Sequence, residues 1–174
     1  RGDHLEPIRS NAHEAGTTVL WGRCDEELGA PFEPFAEALR HYASCVPVER
    51  LRAELGPLGG ELTRMLPDLV SRVPGLAAPV PTDAETERHR LFEAVGDFVA
   101  EMSQTDPMIL VLDDVHWADK PSLLLLRHVL RSGSPMRLLV LATYRDTDLD
   151  RTHPLAEVLA DFRREPGVTR LDLT

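Results

Sequence analysis

Two uninterrupted apolar runs, "MILVL" at Met108–Leu112 and "RLLVLATY" at Arg137–Tyr144, set the tightest limit on how this chain can fold. A strand with one face in water alternates apolar and polar residues. A continuous run needs cover on both faces, which parallel sheets receive from the helices of their crossover connections. Segments with helical spacing alternate with these runs, so the fold class is α/β with a mainly parallel sheet.

The remaining elements follow from local pattern. "TTVLWGRC" (Thr17–Cys24) is β-branched and apolar and predicts a short buried strand, with "NAHEAG" before it as the last turn of a helix ending on Gly16. "PFEPFAEALRHYA" puts Phe32, Phe35, Leu39 and Tyr42 on one helical stripe. Cys45 to Pro81 is looser, with short helical runs broken by "GPLGG" and "VPGLAAPVP", a loop rather than a domain linker. "TDAE" at Thr82–Glu85 has the form of a capping box. The helix it opens carries Leu91, Phe92, Val95, Phe98, Val99 and Met102 at helical spacing and is expected to reach Ser103. Further helices are expected over Lys120–Arg131 and Leu155–Arg164, and "VTRLDL" (Val168–Leu173) as a final strand.

Composition narrows the function. At 174 residues the chain fits one domain, and with only 5% aromatic residues its core must be mostly Leu, Val and Ala. A formal net charge of -10 argues against direct nucleic-acid binding, which relies on Lys and Arg at the phosphates. No apolar stretch is long enough for a membrane-spanning helix, and no signal peptide opens the chain. Cys24 and Cys45 form neither a zinc spacing nor a disulfide framework, so a reducing cytoplasm is the expected compartment. The chain starts at Arg1 and reads as a fragment of something longer.

The chemistry concentrates where the first apolar run ends, in Asp113 and Asp114. Ligand sites of open parallel sheets lie at the carboxyl ends of the strands. An apolar strand followed by two acids has the form of a Walker B segment. There the first acid holds magnesium, often through water, and the second orients or deprotonates an attacking water. The bland alternative is that the pair merely ends a strand, while Asp119 caps the next helix.

Longer strings decide between them. "DDVHWADKPSLLLLRHVL", "LLVLATYRDTDLDRTHPL", "VLWGRCDEELGAPFEPFAEALRHY" and "ETERHRLFEAV" closely resemble the ATPase domain of bacterial signal-transduction ATPases of the STAND/AAA type. That domain occurs in LuxR-family transcriptional regulators and beside class III adenylate cyclase domains. The resemblance runs from Ala12 to the C-terminus. It implies a P-loop NTPase-like three-layer sandwich of the ASCE type, with ATP and Mg2+ as cofactors. It also implies roles: Asp113 as metal ligand, Asp114 as the residue polarising the attacking water, and Arg145 in "TYRD" as the sensor of the γ-phosphate. A guanidinium beside a triphosphate stabilises its charge and registers its loss. Without that setting, Arg145 reads as a surface ion pair with Asp146 or Asp148.

Other candidates read as structural. His116 is expected to be a packed loop histidine, Trp117 a loop anchor, Cys24 a buried thiol, and Arg88 and Arg90 exposed helix cations. The other histidines, at positions 4, 13, 41, 89, 128 and 153, show no metal-ligand pairing.

One component of the family site has no counterpart. A P-loop needs GxxxxGK[ST], whose backbone N–H groups wrap the phosphates, and no such string occurs in these 174 residues. The family's spacing puts its end at Arg1–Gly2, and "RGDHLEPIRS", interrupted by Pro7, does not resemble the family's first helix. A chain that begins inside its domain, a shifted reading frame near its start, and a decayed site would each give this pattern. By resemblance the strand before the P-loop belongs in the middle of the sheet, so its loss would leave backbone donors and acceptors unpaired or force the two flanking strands together.

The expected organisation is therefore a remnant or aberrant first helix at 1–16 and an ATPase core fragment at 17–174, without the C-terminal lid. The expected function is part of an ATP-binding switch in a multidomain transcriptional regulator. Its output domain, DNA-binding or cyclase, would lie outside this chain, and hydrolysis by the chain alone is not expected. The alternatives are a nucleotide-independent α/β scaffold for protein contacts and a regulatory module attached to an adenylate cyclase.

Overall fold

The computed structural model describes residues 16–26, 30–149, 152–163 and 165–172. Three parallel strands stand in the order β1 (Thr18–Arg23), β2 (Met108–Asp113) and β3 (Leu138–Ala142). The helices are α1 (Glu33–Cys45), α2 (Val48–Leu55), α3 (Leu69–Arg72), α4 (Ala84–Thr105), α5 (Lys120–Arg131) and α6 (Pro154–Phe162). Single 3-10 turns occur at Gly59–Arg64, Val115–Trp117 and Asp146–Asp148. The fold class is the expected one: α/β with a parallel sheet.

The register aligns Arg23 with Asp113, and Leu112 with Ala142, so all three strands end at one rim. Strand alternation sorts the sheet residues by face. Leu20, Met108, Leu110 and Leu112 are buried in the core cluster with Phe35, Leu39, Leu91, Val95, Phe98, Met102, Leu123 and Leu126 from the helices. Burial of such side chains contributes roughly 1.5–3 kcal/mol each. The stripe expected in α1 is confirmed for Phe35, Leu39 and Tyr42, while Phe32 sits just before the helix in a left-handed conformation (φ 67°). α1 is seated directly on β1, where a Cβ added to Gly22 would stand 1.8 Å from the Pro34 carbonyl oxygen.

Several boundaries differ from expectation. The cap of α4 is Asp83 rather than Thr82: Asp83 Oδ1 accepts from the N–H groups of Glu85 (3.1 Å) and Thr86 (3.0 Å). The reciprocal bond runs from Thr82 N to Glu87 Oε1, so the box is displaced. α4 runs past Ser103 to Thr105, and the second apolar run is strand only over Leu138–Ala142. α6 spans Pro154–Phe162 rather than Leu155–Arg164.

The final strand is a clearer correction. Val168–Asp172 is irregular, and Leu171 is 79% exposed. A strand needs a neighbour to pair with, and none pairs with this segment among the described residues. β3 is one edge of the sheet among the described residues, with Leu139 52% exposed, so the cover expected from its apolar run is incomplete. The expected helical turn at "NAHEAG", and nearly all of 1–16, lie outside the described residues.

Candidate functional site at the carboxyl rim of the sheet

β2 brings Asp113 to the rim as its last residue, paired with Arg23 in register. Asp114 then leaves the strand in the left-handed region, φ 57° and ψ 42°. Few side chains tolerate this conformation, and aspartate is among them. The turn is stitched to β3: Thr143 N donates to Leu112 O (3.0 Å) and Val115 N to Thr143 O (2.8 Å). Trp117 N and Ala118 N close the short turn on Asp114 O and Val115 O. Asp119 then caps α5 by accepting from Ser122 N at 2.6 Å, as the sequence leads one to expect. It also accepts from Phe32 N (3.3 Å), tying the entry of α1 to the same rim.

The two acids are held differently. The Thr143 hydroxyl donates to Asp113 Oδ1 at 2.5 Å and accepts from the backbone N–H of Asp114 at 3.0 Å. Asp113 Oδ2 accepts no hydrogen bond among the described residues. The Asp114 carboxylate stands 3.9 Å from Nδ1 of His116, whose side chain is fully buried. The His116 ring packs against Trp117 with centroids 4.9 Å apart, and Trp117 remains 39% exposed. His116 is thus the packed loop histidine the sequence suggests.

A negative field fills this corner. Cys24, buried at the end of β1, donates its N–H to Asp113 O. Burial above all, with the charges of Asp119, Asp114, Asp113 and Glu37 acting the same way, pushes its thiol up to about 12. Such a thiol is inert as a nucleophile at neutral pH. A concentration of carboxylates is a place where a hard divalent ion is favoured.

Arg145 lies three residues beyond the end of β3, on the strand adjacent to the acid pair, and is exposed. It makes no ion pair with Asp113 or Asp114 among the described residues. Nor does it pair with Asp146, which Arg170 holds at 2.9 Å. No ion pair of its guanidinium is seen among the described residues.

Thr143 is the site residue that sequence reasoning missed. Its signal was a hydroxyl two residues before Arg145, at the end of the strand adjacent to β2. Arg90 is corrected the other way: it is half-buried and bonded to Glu61 Oε1 at 2.8 Å, which makes it a structural group. A groove of about 880 Å³ between α4 and α5 is away from the acids. Its arginines Arg127 and Arg131 are paired with Asp161 and Glu165, and His128 Nε2 lies 3.4 Å from Glu93.

The donor set fits half of a magnesium–nucleotide site. Carboxylate oxygens are the donors Mg2+ takes, and it keeps several waters beside one or two of them. A cradle for phosphates has no counterpart among the described residues. No group of three or more His, Cys, Asp or Glu side chains forms a ready-made metal cage among them, and none of their helices is long and apolar enough to cross a membrane. The profile described as AAA ATPase domain matches residues 5–141. Neither the curated proteins nor the solved structures contain a match.

Proposed function

The chain belongs to the AAA ATPase domain family, and on that premise we propose that it is the metal-and-water side of an ATP-binding switch in a multidomain bacterial regulator. The family generally uses ATP and Mg2+ and points to a nucleotide-binding regulatory module. What supports the proposal is that Asp113 ends β2 and Asp114 follows it at the carboxyl rim of a parallel sheet, with Arg145 three residues beyond the end of the adjacent β3. In this reading residues 17–174 are the core fragment of the ATPase domain.

Each residue then has one task. Asp113 would hold the metal through Oδ2, directly or through water. Asp114 would orient the attacking water and draw on its proton. Arg145 would sense the γ-phosphate across the rim. Bound Mg-ATP supplies the electrophilic phosphorus and the charge to which the acids and the guanidinium respond. The regulatory step is a population shift: contacts to the γ-phosphate favour one arrangement of the rim, and their loss favours another.

The output belongs to a partner domain outside these residues, a DNA-binding domain as in LuxR-family regulators or an adenylate cyclase domain. The net charge of -10 suits a regulator whose nucleic-acid contacts lie elsewhere. A cytoplasmic setting agrees with two free cysteines, Cys24 buried and Cys45 exposed.

Thermal unfolding with and without Mg-ATP tests the proposal, on this chain and on a form extended upstream through a glycine-rich phosphate loop. A ligand that binds only the folded state raises its melting temperature. The extended form should be stabilised and this chain should not, with negligible hydrolysis by the chain alone. An extended form with no shift would favour the nucleotide-independent scaffold. Robust turnover by the 174 residues, lost in Asp114→Asn, would overturn the requirement for the loop.

A further inference from the structure

Away from the rim, two metal-ligating side chains converge at the far end of α1. The helix starts beside Asp119, which accepts from Phe32 N, and its 13 residues carry Cys45 about 18 Å from that start. His41 and Cys45 are four residues apart, so the helix sets one a turn above the other, off the buried stripe of Phe35, Leu39 and Tyr42. His41 Nε2 stands 3.9 Å from Cys45 Sγ, and both residues are exposed. As a string, H-x-x-x-C matches no zinc motif. The helix is what joins the two ligands.

We propose that His41 and Cys45 form a two-point chelate for a thiophilic divalent cation of the Zn2+ class, with water in the remaining positions. The distance fits. A tetrahedral ion with bonds of about 2.3 Å to sulfur and 2.0–2.1 Å to nitrogen holds those atoms about 3.6 Å apart, so the pair closes by only a few tenths of an ångström. The spacing fits too, since ligands at i and i+4 are how a helix presents two donors to zinc. The carbonyl end of a helix favours a cation, and the last turn of α1, Tyr42–Cys45, carries no Lys or Arg. Arg72 reaches that end from α3 and bonds the Ala43 (3.3 Å) and Val46 (2.7 Å) carbonyls, leaving the thiol with His41 and with Ser44 Oγ at 3.7 Å.

On binding, the S–H bond breaks and its electron pair forms the sulfur–metal bond. The proton leaves to solvent, and the neutral imidazole gives its Nε2 lone pair. Thiolate and imidazole select zinc-like ions, whereas Mg2+ takes oxygen donors, so this site and the acid rim hold different cations. The chelate stands apart from the nucleotide reading and does not depend on it.

Co2+ titrated into the reduced 174-residue chain tests this, with excess Mg2+ present to occupy the carboxylates. A sulfur-to-cobalt charge-transfer band should grow in and be bleached by Zn2+. It should persist in Cys24→Ala, disappear in Cys45→Ser, and need about a hundredfold more Co2+ in His41→Ala, which breaks the second point of the chelate. Both ligands are exposed, so Cys45→Ser and His41→Ala should melt as wild type does, and a lost band then reports the ligand rather than the fold. No band in wild type, or a band that survives Cys45→Ser, would overturn the proposal. So would a His41→Ala titration that matches wild type, because the thiol would then act alone. Each of these results stands whether or not the acid rim binds nucleotide.

Discussion

Asp114 turns into left-handed backbone directly after Asp113 completes β2, and the carboxylate so displaced comes within 3.9 Å of the buried His116 ring. Two adjacent acids, joined by one peptide bond, thus reach different surroundings. A conformation costing about 1 kcal/mol or more for a side chain with a Cβ is kept at the rim of the sheet. Asp114→Gly should relieve that strain, and Asp114→Asn should keep the turn while removing a charge from an acidic corner. Both variants should unfold at higher denaturant than wild type, Asp114→Gly by about 1 kcal/mol. Unchanged or lower stability in both would mean that Asp114 holds the turn together.

The seat of α1 on β1 depends on Gly22. A Cβ there would overlap the Pro34 carbonyl, so Gly22→Ala should cost about 3 kcal/mol, at the upper end of overpacking penalties. Gly16→Ala is the control: its φ is +71° but nothing stands within 4 Å, so strain alone should cost about 1–2 kcal/mol. Urea unfolding of the two variants separates close approach from backbone conformation.

Glu61 is 2% exposed and is bonded by Arg90 (2.8 Å), Val80 N (3.1 Å) and Arg64 (3.2 Å). Burial by itself would raise its pKa, yet these donors outweigh burial and hold the carboxyl below its usual value. Glu61→Ala should destabilise by about 3 kcal/mol, because it strands the partners of a buried pair. Calorimetric melting of Glu61→Ala beside Arg90→Ala checks this, and additive losses in the double variant would contradict a shared network.

The cap of α4 predicts an acid dependence. The N–H of Thr86, above all, holds the Asp83 carboxyl down to about 2. A depressed folded value means that the stabilisation is complete above the unfolded value near 3.9 and disappears as pH falls toward 2. Amide exchange of Thr86 should accelerate relative to the middle of α4 across that window in wild type. Asp83→Asn, which caps without titrating, should flatten the difference.

What the sequence revealed was local. The Met108–Leu112 strand, the stripe of α1, the Asp119 cap and the ends of α5 all follow from adjacent residues, and each is where periodicity and capping chemistry put it. Thr82 and Asp83 are both good caps, and only the geometry of the turn chose between them. Val168–Asp172 failed as a strand because pairing is not written in the segment that pairs. Arg90 looked like a solvent cation because its partner, Glu61, is 29 residues away. Thr143 escaped notice for the same reason: its importance appears once the β2–β3 register sets it against Asp113. The apolar runs also showed where their strands end, which is why Asp113 and Asp114 were expected at the carboxyl end of β2 and Arg145 just beyond β3.

The most direct measurement is a crystal structure of an upstream-extended form, containing the phosphate loop, with Mg2+ and a non-hydrolysable ATP analogue. The expected result is Mg2+ about 2.1 Å from Asp113 Oδ2, or from a water that Oδ2 holds, with the γ-phosphate within hydrogen-bond reach of Arg145. Nucleotide bound away from the carboxyl rim, or a metal there that ignores Asp113 while Arg145 faces solvent, would contradict the assignment of this rim as an ATP site.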